Sequence, residues 1–266
     1  MTNKLINTIT AFAFLLSGAS GANGQSAPRV VDNNANGWYM YFGDHSLGGR
    51  WELHLEQQWR RSSVIRGWQQ MLVRPAVNYR LTPNVLLTGG YGFVQTYRYG
   101  DYPAGSAFPE HRAYEQLQVR QQIGRADVVH RYRLEQRLIG QPYQRDGVQH
   151  NWRYENRFRY MARVTLPLPR VKKLYVAVYD ELFVNFGRNV AANLFDQNRA
   201  YAALGVRAGR FNRFEFGYMN QLLAQRNGQV LERNHTLQIA LFSAVPFVAS
   251  TSLRMFLSGT IPSVTF

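Results

Sequence analysis

The 266-residue chain has no cysteine, only three lysines (Lys4, Lys172 and Lys173) among its 31 basic residues, and 16 acidic residues. Without cysteine there is no disulfide scaffold and no thiolate-held zinc or iron–sulfur site. Beyond the first two dozen residues no apolar run approaches the ~18 needed for a membrane-crossing helix. The formal net charge of +15 first points to nucleic acid. Basic polyanion-binding surfaces usually mix lysine with arginine, however, and 28 of the 31 bases here are arginine, the residue suited to forked, partly buried pairing. Aromatics are abundant: 16 Tyr, 16 Phe and 5 Trp exclude a disordered chain, which could not leave so much ring surface in water.

The first 24 residues read as a secretory signal peptide. Lys4 supplies the positive start, Leu5–Leu16 is an apolar stretch of 12 residues, and residues 17–24 are small or polar. Ala22-Asn23-Gly24 approximates a small-x-small cleavage pattern, with the cut before Gln25. A stretch of that length is too short to anchor the chain across a bilayer, which takes about 20 residues. The absence of cysteine fits an exported protein.

The rest of the chain alternates with a period of two. In Arg50–Arg60, the residues Arg50, Glu52, His54, Glu56, Gln58 and Arg60 share one face of a strand, while Trp51, Leu53, Leu55 and Trp59 share the other. His130–Leu138 sets Arg131, Arg133, Glu135 and Arg137 against Tyr132, Leu134 and Leu138. Trp152–Leu166 sets Arg153, Glu155, Arg157, Arg159 and Arg163 against Trp152, Tyr154, Phe158 and Tyr160. Further strands are predicted at Trp38–Leu47, Trp68–Leu81, Val85–Thr96, Tyr114–Ile123, Leu174–Phe186, Arg199–Arg210, Arg213–Leu223 and His235–Ala244, with a weaker one at Thr251–Ser258. Turn chemistry separates them, as at Gly48-Gly49, Thr82-Pro83-Asn84 and Arg226-Asn227-Gly228. Glu232 reads as part of that last turn region.

Strands this long exceed the ~5–6 residues usual in soluble proteins and match the ~9–11 of a tilted membrane-spanning strand. A secreted β-sandwich or lipocalin-like cup would turn its charged face to water. Here that face is dense and pairs opposite signs within a strand, and the other carries tryptophans near strand ends. Both features favour an all-β, antiparallel transmembrane β-barrel of about 12 strands, closed so that no edge is left unpaired. The expected organisation is a signal peptide (1–24), a short N-terminal segment (25–37) and a barrel (38–266) in the bacterial outer membrane.

Several stretches then look familiar: Gly43–Leu47, Arg50–Arg61, Gly90–Phe93, Phe108–Arg112, Tyr114–Gln116, His130–Arg137, Arg157–Tyr160, Asp180–Phe183, Phe195–Tyr201 and Gly217–Gln221. In this order, over roughly residues 38–244, the chain resembles the domain-of-unknown-function (DUF) 2490 family of bacterial outer-membrane barrels. The resemblance implies fold and location, and no biochemical role. On its motifs Asp44, Glu110, Arg112, Asp196, Asn198 and Arg199 are expected at loops and the rim. Residues 245–266 lie beyond it, so ten strands stand as the alternative to twelve.

No catalytic set is legible. Adjacent residues such as His45-Ser46 point to opposite faces of a strand, and His54, His130 and His235 have no serine two residues away. No metal-spaced histidine cluster and no glycine-rich phosphate loop is present, so neither cofactor nor metal is expected. The expected lumen lattice is Arg50, Glu52, Glu56, Arg60, Arg131, Arg133, Glu135, Arg137, Glu155, Arg157, Arg159, Arg163, Glu181 and Arg207. Arginine outnumbers glutamate in it, and rings of arginine favour anions. A barrel of ten to twelve strands is narrow, since open aqueous channels belong to barrels of about 16–18 strands. The leading reading is therefore a non-enzymatic structural or binding component of the envelope with a filled lumen. A narrow anion-selective channel and a barrel-embedded lipid-modifying hydrolase are the alternatives. The expected partners are outer-membrane lipid and lipopolysaccharide, the barrel assembly machinery during insertion, and small anions, with no nucleic acid. The loop Arg98–Arg112 reads as an ordinary turn-rich loop sooner than as a cover over the mouth.

Overall fold

The computed structural model describes residues 30–102, 104–141, 151–171 and 173–248. The predicted signal peptide and the weak strand Thr251–Ser258 lie outside the described residues. Within them the chain is all β: β1 (Val30–Gly48), β2 (Trp51–Ser62), β3 (Gly67–Thr82), β4 (Val85–Thr96), β5 (Phe108–Ile123), β6 (Ala126–Gly140), β7 (Trp152–Pro167), β8 (Leu174–Phe186), β9 (Phe195–Ala208), β10 (Asn212–Ala224) and β11 (Val230–Ser243).

Each strand pairs antiparallel with its sequence neighbours, and β11 returns to β1 to close a barrel. The count among the described residues is eleven, where twelve or ten were expected. An odd count makes the first and last strands run the same way, so the closing seam is parallel, from Val30↔Val230 to Gly43↔Ser243. Parallel ladders bond evenly though on a slant, so the seam leaves no backbone edge open. β1 also begins eight residues before Trp38. Its leading segment, Val30-Val31-Asp32-Asn33-Asn34-Ala35-Asn36-Gly37, has few strand-forming residues. The ladder to β11 holds it extended, which no local pattern announces.

The alternation sorts side chains as expected. On β7, Glu155, Arg157 and Arg159 are buried inside, while Trp152, Tyr154 and Phe158 are exposed outside. The outer face as a whole is apolar, with Val73, Val77, Leu87, Leu117, Leu134, Val178, Leu204 and Leu237 exposed. Aromatics mark both of its ends. Trp51 tilts against Tyr79 near the tight turns, and Trp68 meets Tyr97 near the longer loops. Gly48 and Gly49 make the first tight turn with φ of 101° and 59°, conformations that suit glycine.

Three inward glycines have a different role. Tyr114 lies over Gly90, Tyr175 over Gly205 and Tyr201 over Gly217, each ring filling the space a Cβ would take. A Cβ on Gly90 would meet Tyr114 Cζ at 2.7 Å, and one on Gly217 would meet Tyr201 Cε2 at 2.5 Å. Covering a glycine with an aromatic neighbour restores packing where the strand bends. We predict that Gly205→Val, which drives a side chain into the Tyr175 ring, costs about 1–3 kcal/mol. Gly89→Val, with open space around the site, should change little. The temperature at which the folded band converts to the unfolded band in detergent electrophoresis checks both.

Candidate functional site: the charged lumen

The inward positions of β5 to β9 form a connected lattice of arginine and carboxylate. Glu135 on β6 divides its oxygens between two arginines of β7. Arg157 donates Nε and Nη2 to Oε2 (2.9 and 2.5 Å), and Arg159 donates Nη1 to Oε1 (2.6 Å). Arg157 continues to Asp196 on β9 (2.9 Å), while Arg159 forks onto Glu181 of β8 (2.9 and 2.6 Å). Arg131 adds a second guanidinium to Glu181 at 2.7 Å. Beside this run, Glu110 accepts from Arg112 (2.6 and 2.9 Å) and Arg137 (2.6 and 3.2 Å). Glu155 accepts from Arg153 at 2.7 Å. Forked, charge-assisted bonds are the strong kind, and they use the geometry that arginine has and lysine lacks.

Two smaller groups complete the wall. Arg74 bonds Glu56 at 2.6 Å, and His54 stands between Asp44 Oδ1 (2.7 Å) and Glu56 Oε2 (3.7 Å). Glu215 pairs with Arg163 and accepts from Tyr175 (3.0 Å) and Tyr201 (3.3 Å). Among the described residues no three His, Asp or Glu side chains are placed to hold a metal ion.

Most of the predicted lattice positions face the lumen, with one exception: Arg50 lies in the exposed turn between β1 and β2. Glu52 faces inward near that end and pairs with Arg80. Arg207 lies exposed near the end of β9, its guanidinium 5.3 Å from the Tyr175 ring centre. The residues expected at loops and the rim are placed differently. Glu110, Arg112, Asp196 and Arg199 are buried in the wall, because β5 and β9 begin earlier than their apolar alternation suggests. Asn198 points outward and donates to Asp180 at 2.9 Å. Asp44 faces inward against His54. Glu232, read as a turn residue, is fully buried on β11.

The β4–β5 loop folds into the mouth. Tyr97 N donates to Gln69 O (3.0 Å), Ala104 is buried, and the Tyr99 hydroxyl crosses to Glu232 Oε2 at 3.1 Å. Burial and the neighbouring Glu232 carboxylate hold the Tyr99 phenol well above its ordinary pKa, so it stays a donor. A loop of ordinary appearance thus covers the mouth, anchored by one tyrosine whose partner is distant in sequence. Among the described residues a cavity of about 670 Å3 remains open in the lumen. Its lining reaches from Arg120, Asp127 and Arg213, near the tight turns, to Tyr99, Asn193 and Arg226 at the loops. Among the described residues fifteen arginines line it against nine carboxylates.

A family model described as "Protein of unknown function (DUF2490)" matches residues 35–232. The chain belongs to the DUF2490 family. An uncharacterised protein of Methylorubrum extorquens is 27% identical over 194 residues, covering 70% of this chain and 78% of that protein. Among solved structures, the NanC porin in a rhombohedral crystal form is similar at 15% identity and a TM-score of 0.42, over 73% of this chain and 90% of that one.

The DUF2490 region contains lattice members that the sequence reading passed over. Arg74 sits in an apolar stretch beside Pro75, and Glu215 between Phe214 and Phe216. The two-residue period alone places both inside. We predict that Glu135→Gln, which leaves two buried guanidiniums sharing a neutral amide, destabilises the barrel by about 3–5 kcal/mol. Asp101→Asn, in an exposed turn, should stay within about 0.5 kcal/mol. Denaturant midpoints of the refolded variants measure the difference, and equal effects would contradict a coupled lattice.

Proposed function

We propose that the protein is an outer-membrane β-barrel whose lumen is a largely filled arginine–carboxylate lattice, acting as a binding component of the envelope with a residual preference for small anions. The observation that carries this reading is the imbalance of the cavity lining, fifteen arginines against nine carboxylates among the described residues. Such a surplus leaves a positive potential in a low-dielectric space, which concentrates anions. Membrane residence is supported by the inverted distribution of side chains, apolar outside and charged inside, and by aromatic residues at both ends of the outer face. Outer-membrane lipid and lipopolysaccharide then cover the outer face, and the barrel assembly machinery inserts the chain.

The filled state is supported by burial. Glu135, Arg133, Arg157 and Arg159 are all 5% exposed or less, although none of them sits in an apolar core. The reading is non-enzymatic. The ring nitrogens of His54 face two carboxylates, whereas His130 and His235 are on the outer face and bond Tyr160 (2.9 Å) and Tyr218 (2.6 Å). A hydrolytic triad sets a serine, threonine or cysteine against the imidazole, whereas the partners of these three histidines are carboxylates and tyrosine phenols. The second reading, a narrow anion-selective path, has one observation in its favour: the cavity touches residues from both mouths.

Planar-bilayer recording of the detergent-purified protein across a salt gradient tests the proposal. The expected result is no steady current, with any brief openings reversing toward the chloride potential. A steady anion-selective current would move the path reading to the front. A cation-selective current would contradict both.

A further inference from the structure

We infer that the segment Tyr97–Tyr102 of the β4–β5 loop is a gate over the loop-side mouth, latched shut by the Tyr99 hydroxyl on Glu232. The inference rests on the cavity to which the binding role is assigned and adds the control of access to it.

Glu232 is an exception in the wall. The buried glutamates Glu56, Glu110, Glu135, Glu155, Glu181 and Glu215 each have an arginine within 4.0 Å. Among the described residues no basic group comes that close to Glu232. Asp32, opposite it across the seam, brings a second carboxylate in place of a counter-ion. The oxygens of Glu232 are held by neutral donors: the Tyr99 hydroxyl (3.1 Å), Asn234 Nδ2 (3.2 Å) and Gln225 Nε2. Asn234 lies on β11 itself and Gln225 in the turn leading into it. Both stay with Glu232 when the loop moves, and of the three donors only Tyr99 comes from across the mouth.

This difference makes the latch releasable. Parting a buried arginine pair strands two charges, which is costly. Parting Tyr99 from Glu232 leaves the carboxylate two donors, and water entering the opened mouth replaces the third. The loop is shaped to lift as a unit. Tyr99 and Ala104 pair as a short antiparallel bridge, and Gly100, with φ of 62°, turns the chain between them. Arg98, Asp101 and Tyr102 are exposed. The base of the loop is fixed where β4 ends, by the Tyr97 N–Gln69 O bond and the contact of the Tyr97 and Trp68 rings, 5.6 Å apart. The Gln69 side chain also meets the Tyr99 hydroxyl, so that hydroxyl gathers what holds the tip down. Tyr99 and Ala104 line the cavity from above, and lifting them uncovers it.

Tyr99→Phe keeps the ring and removes the hydroxyl, and two measurements on it test the gate. In the otherwise cysteine-free chain, a thiol at Ala104→Cys sits at a position 7% exposed and reports opening by its reaction with a water-soluble maleimide in detergent. Tyr99→Phe should speed that reaction by about tenfold or more, the loss of a hydrogen bond to a charged group. Tyr102→Phe, exposed on the same loop, should leave it unchanged. In planar bilayers, brief openings of Tyr99→Phe without the added cysteine should be about tenfold more frequent than those of the unchanged protein. Heat-modifiable migration in electrophoresis verifies that each variant is folded. An unchanged thiol rate overturns the latch. Faster labelling with an equal frequency of openings, or with none in either protein, leaves a loop that moves and gates nothing, and overturns the gate. Selectivity is read separately. More frequent openings that prove cation-selective remove the anion preference and leave the gate, whereas anion-selective openings equally frequent in both proteins remove the gate and leave that preference.

Discussion

Glu135 has no exposed surface, and the guanidiniums of Arg157 and Arg159 hold its two oxygens from one neighbouring strand. That three-residue contact ties β6 to β7, and through Asp196 and Glu181 it reaches β9 and β8. Alternate residues of one strand point the same way, so a single strand can supply the forks for several neighbours. The pairs are strong because they are desolvated. For the same reason each requires all its partners, since a carboxylate left alone in the lumen would be costly. The interior of this barrel is thereby committed to ionic bonding, where a soluble β protein of this size would pack leucine and valine.

That commitment determines the outside. With the charged set inward, the period of two forces the apolar set outward, where Val178, Leu204 and Leu237 lie exposed. A surface of this kind suits hydrocarbon, and in hydrocarbon every backbone amide must be paired within the protein. Closure follows from that requirement. Eleven strands close only through a parallel seam, and β1 runs antiparallel to β2 on one side and parallel to β11 on the other. The surplus of arginine is what remains after the lattice has used its carboxylates.

Much of this was legible in the sequence because its two signals are local. Alternation located nearly every strand, and the charged face of β6 and β7 was identified residue by residue, although Glu135, read among the arginines of its own strand, takes its partners Arg157 and Arg159 from β7. What was not legible depends on distant partners. β5, β9 and β11 begin with polar runs such as Phe195-Asp196-Gln197-Asn198, which read as loop until the lumen is known to be polar. Glu110, Asp196 and Glu232 were misplaced for that reason. The closing seam pairs residues about 200 positions apart, and Tyr99 finds Glu232 across the mouth, so neither leaves a mark in its own neighbourhood. Arg60 was recognised as inward. Its lack of a carboxylate depends on which strands stand beside it, which alternation does not reveal.

The central claim is that the charged face of every strand looks into the lumen and the apolar face into lipid. Site-directed spin labelling tests it directly, and a chain without cysteine takes single labels cleanly. Labels at Ala200, Ala202 and Leu204 of β9, on protein reconstituted in vesicles, should show collision with dissolved oxygen and little with a water-soluble nickel complex. A label at Ala203, which faces the lumen at 7% exposure, should show little contact with either. Strong nickel contact at Ala202 and Leu204 would place that face in water and contradict the account.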